Sequence, residues 1–211
     1  MRRLPVYLLL DTSGSMRGEP ISAVNVGLKA LVASLRQDPS ALESVHVCIM
    51  TFDADINVVV PLTPLDQLQL PHIQTPESGP TFLGLALEAL CREVDRQVVR
   101  TTAEVKGDWA PLLFVMTDGS PTDLQVFEEC LPEVRRRNFG NIIGCAAGPK
   151  AKKEYLAMLT DKVFSLDTMD EASFTSFFRW VSATVSQGSR SQGVAVSVAL
   201  PPPPREIQLV I

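Results

Sequence analysis

The sequence predicts an α/β fold: a doubly wound, mostly parallel six-stranded sheet with one antiparallel edge strand and helices on both faces. Three observations carry this. Short apolar runs alternate with stretches of helical period along most of the 211 residues, the pattern of strands separated by covering helices. The first run, Leu4 to Leu10, is almost continuously apolar, as expected of a strand buried on both faces. One pair of strand-like runs is joined by a turn of hairpin length, so one strand runs against the others. The preference for right-handed crossovers leaves few topologies. In the Rossmann-like arrangement that results, ligands bind beyond the carboxyl ends of the strands, where strand order reverses.

Taken in order, Leu4 to Leu10 is the first central strand. Ile21, Val24, Leu28, Leu31, Val32 and Leu35 then recur at helical spacing, and the helix stops near Asp38-Pro39 because proline disfavours continuation. Val45 to Phe52 is a second strand and Ile56 to Leu62 a third, antiparallel one, joined by the polar turn Asp53-Ala54-Asp55. The proline-punctuated segment from Pro61 to Pro80 is a loop delivering the chain to Thr81. Leu83, Leu87, Leu90, Val94 and Val98 define the next helix, and Gly107-Asp108 turns into the strand Leu112 to Thr117. Thr122 and Gln125 have the spacing of a capping box, opening a helix with Leu124, Phe127, Leu131 and Val134 on one face. Strand Asn141 to Ala146, a short helix near Lys152 to Leu159 and an edge strand Val163 to Leu166 follow. The last helix places Phe174, Phe177, Phe178, Val181 and Val185 on one core-facing stripe. Residues 1–188 are expected to form the domain. Ser186-Gln187-Gly188-Ser189 has linker character, and 189–211 form a tail in which Pro201 to Pro204 favours an extended conformation. That tail docks on the domain, pairs as a strand or stays free.

With 45% hydrophobic residues the chain can bury a sizeable core as one domain. Its net charge of −5 argues against nucleic acid and anionic membrane surfaces as targets. Arg135-Arg136-Arg137 is expected to be a solvated helix face. Cys48, Cys91, Cys130 and Cys145 show no CxxC pair and each lies inside an apolar periodic run. Buried free thiols of a reducing cytosol are the favoured reading, with two disulfides left open by sequence alone. Arg2-Arg3 before an apolar stretch imitates a signal peptide, but the stretch is short and ends in Asp11 without a small-residue cleavage site. No run approaches the ~20 apolar residues of a membrane span. The expectation is a cytoplasmic protein without membrane insertion.

Chemistry concentrates at two strand ends. Asp11 closes the first strand and opens a loop in which Ser13 and Ser15, two residues apart, can turn their hydroxyls to one point, with Gly14 allowing a sharp bend. Asp118 directly follows the strand Leu112 to Thr117, with Gly119 behind it. Thr81 precedes a helix, so its hydroxyl either caps that helix or joins the same centre. Aspartate and hydroxyl oxygens are hard donors suited to Mg²⁺, with Mn²⁺ or Ca²⁺ as alternatives, and the lack of an associated His or Cys argues against zinc. Three hydroxyls plus two partly water-bridged aspartates leave a near-octahedral Mg²⁺ at least one position for water or a partner's carboxylate.

Asp11-Thr12-Ser13-Gly14-Ser15, then Thr81, then Thr117-Asp118-Gly119 resembles the metal-ion-dependent adhesion site (MIDAS) of von Willebrand factor A domains (vWA), whose signature is DxSxS, a separate threonine and an aspartate in a TDG stretch. The resemblance implies the vWA fold and Asp11, Ser13, Ser15, Thr81 and Asp118 as the metal set. One departure is Gly79-Pro80-Thr81 in place of the common Gly-Gly-Thr, which stiffens the approach of the threonine. The stretches Leu10 to Ile21 and Thr117 to Asp123 look like those of the bacterial TerY family of tellurium resistance, over the whole chain. This likeness implies a cytoplasmic stress-response role beside a protein kinase and a PP2C-type phosphatase, and binding to other tellurium-resistance proteins. The resulting expectation is a non-enzymatic module whose cation captures a Glu or Asp of a protein partner.

Enzymatic alternatives lack parts. A haloacid-dehalogenase-type aspartyl nucleophile needs a second carboxylate two residues on, where this chain has Ser13. Ser13 and Ser15 have no GxSxG elbow, and neither His46 nor His72 has a spacing that singles out a base. The GxGxxG fingerprint is absent. A Mg-dependent aspartyl-phosphate phosphoacceptor or phosphotransfer enzyme is the strongest alternative. Lys106, Lys150, Lys152 and Lys153 are candidates for its lysine, but its adjacent acidic pair is missing.

Overall fold

All eight residues of the first strand, β1 (Leu4–Asp11), are buried, because both of its faces are covered. The computed structural model describes residues 2–77, 79–190, 200–204 and 207–210. After β1 come a 3-10 turn (Gly14–Met16), α1 (Glu19–Arg36), α2 (Pro39–Ser44), β2 (Val45–Phe52), β3 (Ile56–Pro64), α3 (Leu83–Gln97) and β4 (Leu112–Thr117). The order continues with α4 (Leu124–Arg136), β5 (Asn141–Ala147), α5 (Lys153–Leu159), β6 (Val163–Leu166), α6 (Glu171–Arg190) and β7 (Ile207–Val210). These strands form one sheet in the order β3-β2-β1-β4-β5-β6-β7.

Side chains alternate across the pleat with period two. Leu4, Val6, Leu8 and Leu10 pack with Leu28 and Leu31 of α1 and Phe174, Phe177 and Phe178 of α6. Tyr7 and Leu9 face the other way, onto Leu83, Leu87 and Leu90 of α3 and Phe127 of α4. The strand β1 pairs in parallel with β2 on one side and β4 on the other. Crossovers therefore leave it in opposite directions, and a crevice opens beyond the carboxyl ends of β1 and β4. Asp11 and Asp118 both stand there.

The mostly parallel, doubly wound sheet agrees with expectation, and the antiparallel β2–β3 pairing is present. The strand count differs. Ile207–Val210 adds a seventh strand, antiparallel to β6, so β6 is interior and the sheet has an antiparallel strand at each edge. Ser186 to Ser189 is no linker: it lies within α6. Of the tail expected from residue 189, residues 191–199, 205–206 and 211 lie outside the described residues. Its proline run is anchored where the Trp180 indole N–H donates to the Pro201 carbonyl at 2.9 Å.

The break at Asp38-Pro39 ends α1 and also starts α2. Asp38 accepts from the Ser40 N–H at 3.1 Å and Pro39 takes the first helical position, where a missing N–H costs nothing. The arginine triplet is not simply solvated. Arg137 ties α4 to α3 through Asp95 at 2.6 Å and the Cys91 carbonyl at 3.2 Å, and Arg135 donates to the Met158 carbonyl. All four cysteines are buried and free. No helix among the described residues is long and apolar enough to cross a membrane.

Candidate metal centre

β1 carries Asp11 to the rim of the crevice, and the chain immediately tightens into the 3-10 turn, where Met16 N–H donates to the Ser13 carbonyl at 2.9 Å. The turn is left through Gly18, whose φ of 87° lies in the region that side chains disfavour. Gly18, not Gly14, is thus the residue of this loop that needs glycine's freedom. The wound loop aims its hydroxyls inward: Ser13 Oγ and Ser15 Oγ are 3.2 Å apart, and Ser15 Oγ donates to Asp118 Oδ1 at 2.9 Å. Asp11 lies at the floor, 1% exposed, with Ser13 beside it at 2%. Ser15 is exposed and Asp118 half-buried, so the cluster forms a pit open at one side.

Asp11 is held by two bonds. Its Oδ1 accepts from the Ser13 N–H at 2.7 Å and its Oδ2 from Thr117 Oγ1 at 2.5 Å. Thr117 Oγ1 in turn accepts from the Gly119 N–H at 3.1 Å, fixing the turn that presents Asp118. Burial pushes the Asp11 carboxyl up to about 6, against the hydrogen bonds from Ser13 and Thr117 and with help from the Asp118 charge. Burial also raises Asp118, opposed by the Ser15 bond. Among the described residues no ion pair involves either aspartate. Two carboxylates thus share a desolvated place without a protein cation, a costly arrangement unless something positive joins them.

Thr81 reaches the same place from the opposite side. It is 7% exposed, its carbonyl accepts from Thr122 N–H at 2.9 Å, and a Cβ on Gly119 would stand 3.1 Å from its Oγ1. Glycine at 119 therefore leaves room for the threonine hydroxyl. Of the two roles open to Thr81, capping is taken elsewhere: Asp123 accepts from the Gly84 and Leu85 N–H groups of α3 at 3.1 and 2.8 Å. The expected capping box fails for the same reason, since α4 begins at Leu124 behind Asp123 with no side-chain cap of its own. The structure thus brings Asp11, Ser13, Ser15, Thr81 and Asp118 to one crevice from three chain segments.

Sequence reasoning missed Thr117, Thr12, Asp53 and Asp123. Thr117 had a signal, as a polar residue closing a buried strand beside Asp118. The other three bond across distant segments and carried none. The donor set fits a hard divalent cation, being all oxygen, with two carboxylates and three hydroxyls. Among the described residues no cluster of three or more His, Cys, Asp or Glu could hold a metal, so a cation here would have to rest on hydroxyls as much as on carboxylates.

The family model of the von Willebrand factor type A domain matches residues 6–180. No curated relative matches at a significant level. Solved structures share the fold at low identity. Proximal thread matrix protein 1 from the mussel byssus has a TM-score of 0.63 at 13% identity, covering 88% of this chain and 48% of that one. The same protein with a zinc-occupied MIDAS motif has a TM-score of 0.59 at 15% identity, with 89% and 46% covered. The pilus adhesin SpaC from Lactobacillus rhamnosus GG has a TM-score of 0.68 at 12% identity, with 89% and 31% covered. The chain spans about half or less of the length of these structures.

Proposed function

Because the chain belongs to the von Willebrand factor type A domain family, whose members commonly mediate metal-dependent protein interactions, we propose that it is a non-enzymatic binding module whose divalent cation captures an acidic side chain of a protein partner. Ser13, Ser15 and Thr81 would hold the ion, with Asp11 and Asp118 behind or beside them. The observation that carries this is the buried Asp11, with no ion-pair partner among the described residues, beside the paired hydroxyls of Ser13 and Ser15. The oxygen spacings also suit it. Ser13 to Ser15 is 3.2 Å and Ser15 to Asp118 is 2.9 Å, and neighbouring ligands of an octahedral ion with bonds of about 2.1 Å stand roughly 3 Å apart. Replacing these hydrogen bonds by contacts to a cation, with the hydroxyls keeping their protons, would then need little movement. When bound, the ion supplies an electrophilic centre whose charge the two carboxylates only just balance, so an incoming Glu or Asp remains attractive. No bond is broken.

Magnesium is the first candidate, with manganese and calcium as alternatives. Zinc is added because a related fold is described with a zinc-occupied MIDAS motif. The likeness of both loops to the TerY family makes tellurium-resistance proteins, and an associated kinase and PP2C-type phosphatase, the first partners to try in a cytoplasmic setting. Asp11 has both oxygens bonded inside the fold, which disfavours the phosphoacceptor alternative. A small phosphodonor should therefore leave the protein unlabelled.

The test is thermal unfolding in millimolar Mg²⁺ against chelator. A ligand at 100 times its Kd adds about 2.7 kcal/mol, roughly 5–10 °C for a chain of this size. Asp11→Ala should lose that gain, together with chelator-sensitive capture of partners. Equal Mg²⁺ stabilisation of the wild type and Asp11→Ala would overturn the proposal.

A further inference from the structure

We infer that Asp53 is a positioning residue for the metal centre: from the β2–β3 turn it fixes the spacing between the Asp11 loop and the Thr81 segment, and so sets cation affinity from outside the donor set. The inference rests on the metal-binding reading above. Asp53 belongs to no ligand motif, yet it touches both ligand-bearing stretches. Its Oδ2 accepts from Thr12 Oγ1 at 2.7 Å, and Thr12 sits between the donors Asp11 and Ser13, 1% exposed. Its backbone carbonyl accepts from the Phe82 N–H at 3.2 Å, next to Thr81. The turn itself is braced, with the Asp55 N–H donating to Asp53 Oδ1 at 3.0 Å and the Asp53 N–H to the Asp55 carbonyl at 3.1 Å. A second strut runs from the Thr12 N–H to the Phe52 carbonyl at 2.9 Å.

The consequence is geometric. A small hard cation tolerates displacements of only about half an ångström among its ligands. The Asp11 loop and the Thr81 segment are about seventy residues apart in sequence, and Gly79-Pro80 admits little local adjustment. On the far side of the pit, Thr81 is tied to the Asp118 loop through Thr122. On the near side Asp53 provides the corresponding tie. Residues bonded behind metal ligands commonly change affinity by about 10- to 100-fold when removed.

The experiment titrates the full chain calorimetrically with MgCl₂ and MnCl₂. Asp53→Ala and Thr12→Val should each weaken binding by about tenfold or more. The double variant should bind clearly better than the product of the two single losses predicts, because the Thr12–Asp53 bond is lost in each single variant. Thr12→Ser keeps the hydroxyl and should bind within about twofold of the wild type, and Asp53→Asn, which keeps an acceptor oxygen but no charge, within about threefold. Additive losses, or an Asp53→Asn loss as large as that of Asp53→Ala, would point to long-range attraction and overturn positioning. Unchanged affinity in Thr12→Val overturns it as well, and Thr12→Val with Asp53→Asn carries the test if Asp53→Ala does not fold. A wild-type chain that binds neither ion overturns the metal-centre reading itself, a result distinct from all of these.

Discussion

Asp11 is kept ionisable at a cost, and that cost has a pH signature. Its folded value of about 6 lies above the ordinary 3.8. Below about pH 4 folded and unfolded chains both hold the proton. Between there and about 6 the unfolded chain has released it and the folded chain has not, so metal-free stability from this group falls as pH rises and levels off above. A cation binds the carboxylate rather than the acid, so the Mg²⁺-induced gain in Tm should grow through the same window and plateau beyond it. Unfolding curves at pH 5 and 7.5, with Mg²⁺ and with chelator, check both slopes; an equal Mg²⁺ gain at the two values would contradict the assignment. At this scale Asp11, Ser13, Ser15 and Asp118 were legible because each lies within four residues of a strand end. Thr12 and Asp53 were not, because a bond spanning forty-one positions leaves no local pattern.

Helices meet through gaps that small residues leave. A Cβ on Gly84 of α3 would stand 2.4 Å from the Phe127 backbone N of α4, so the two helix starts approach as only glycine allows. Asp123 then bridges them by capping α3 from the head of α4. In an exposed helix Gly→Ala gains up to about 1 kcal/mol. At Gly84 the sign should reverse, with a loss of about 2–3 kcal/mol from overpacking, seen as a lower denaturation midpoint at unchanged slope. A neutral or stabilising Gly84→Ala would mean that α3 and α4 pack less closely than described. Helical and strand periods in the sequence located nearly every element. They missed α2, because Asp38-Pro39 serves as both a stop and a start, and they assigned the α4 cap to Thr122 because a capping box is a local pattern while the observed cap is long-range.

Across the molecule the two cores lie on opposite faces of one sheet, and the thiols report on their integrity. Cys48 and Cys91 are pushed up by burial to about 12 and about 11, and all four cysteines are buried. Since the thiolate is the reactive species, a disulfide-exchange reagent should modify none of them in the native protein and four after denaturation without reductant. A count of two or none after denaturation would reveal disulfides instead. The sheet's far edge belongs to this scale too. β7 buries Ile207 fully and Val210 in part while Leu209 is 49% exposed, so it is held by its ladder with β6 as well as by burial.

By itself the sequence determined the doubly wound topology, the order of the helices and which residues meet at the crevice, because hydrophobic period and strand-end motifs are local and face-specific. Only the tertiary structure decided that β7 closes the sheet, that Ser186 to Ser189 stays helical, that Asp123 caps α3, and that Thr117 and Asp53 stand behind the donors. Each of these depends on a partner supplied by a distant part of the chain, and such a partner changes the energy of a residue without changing the pattern around it.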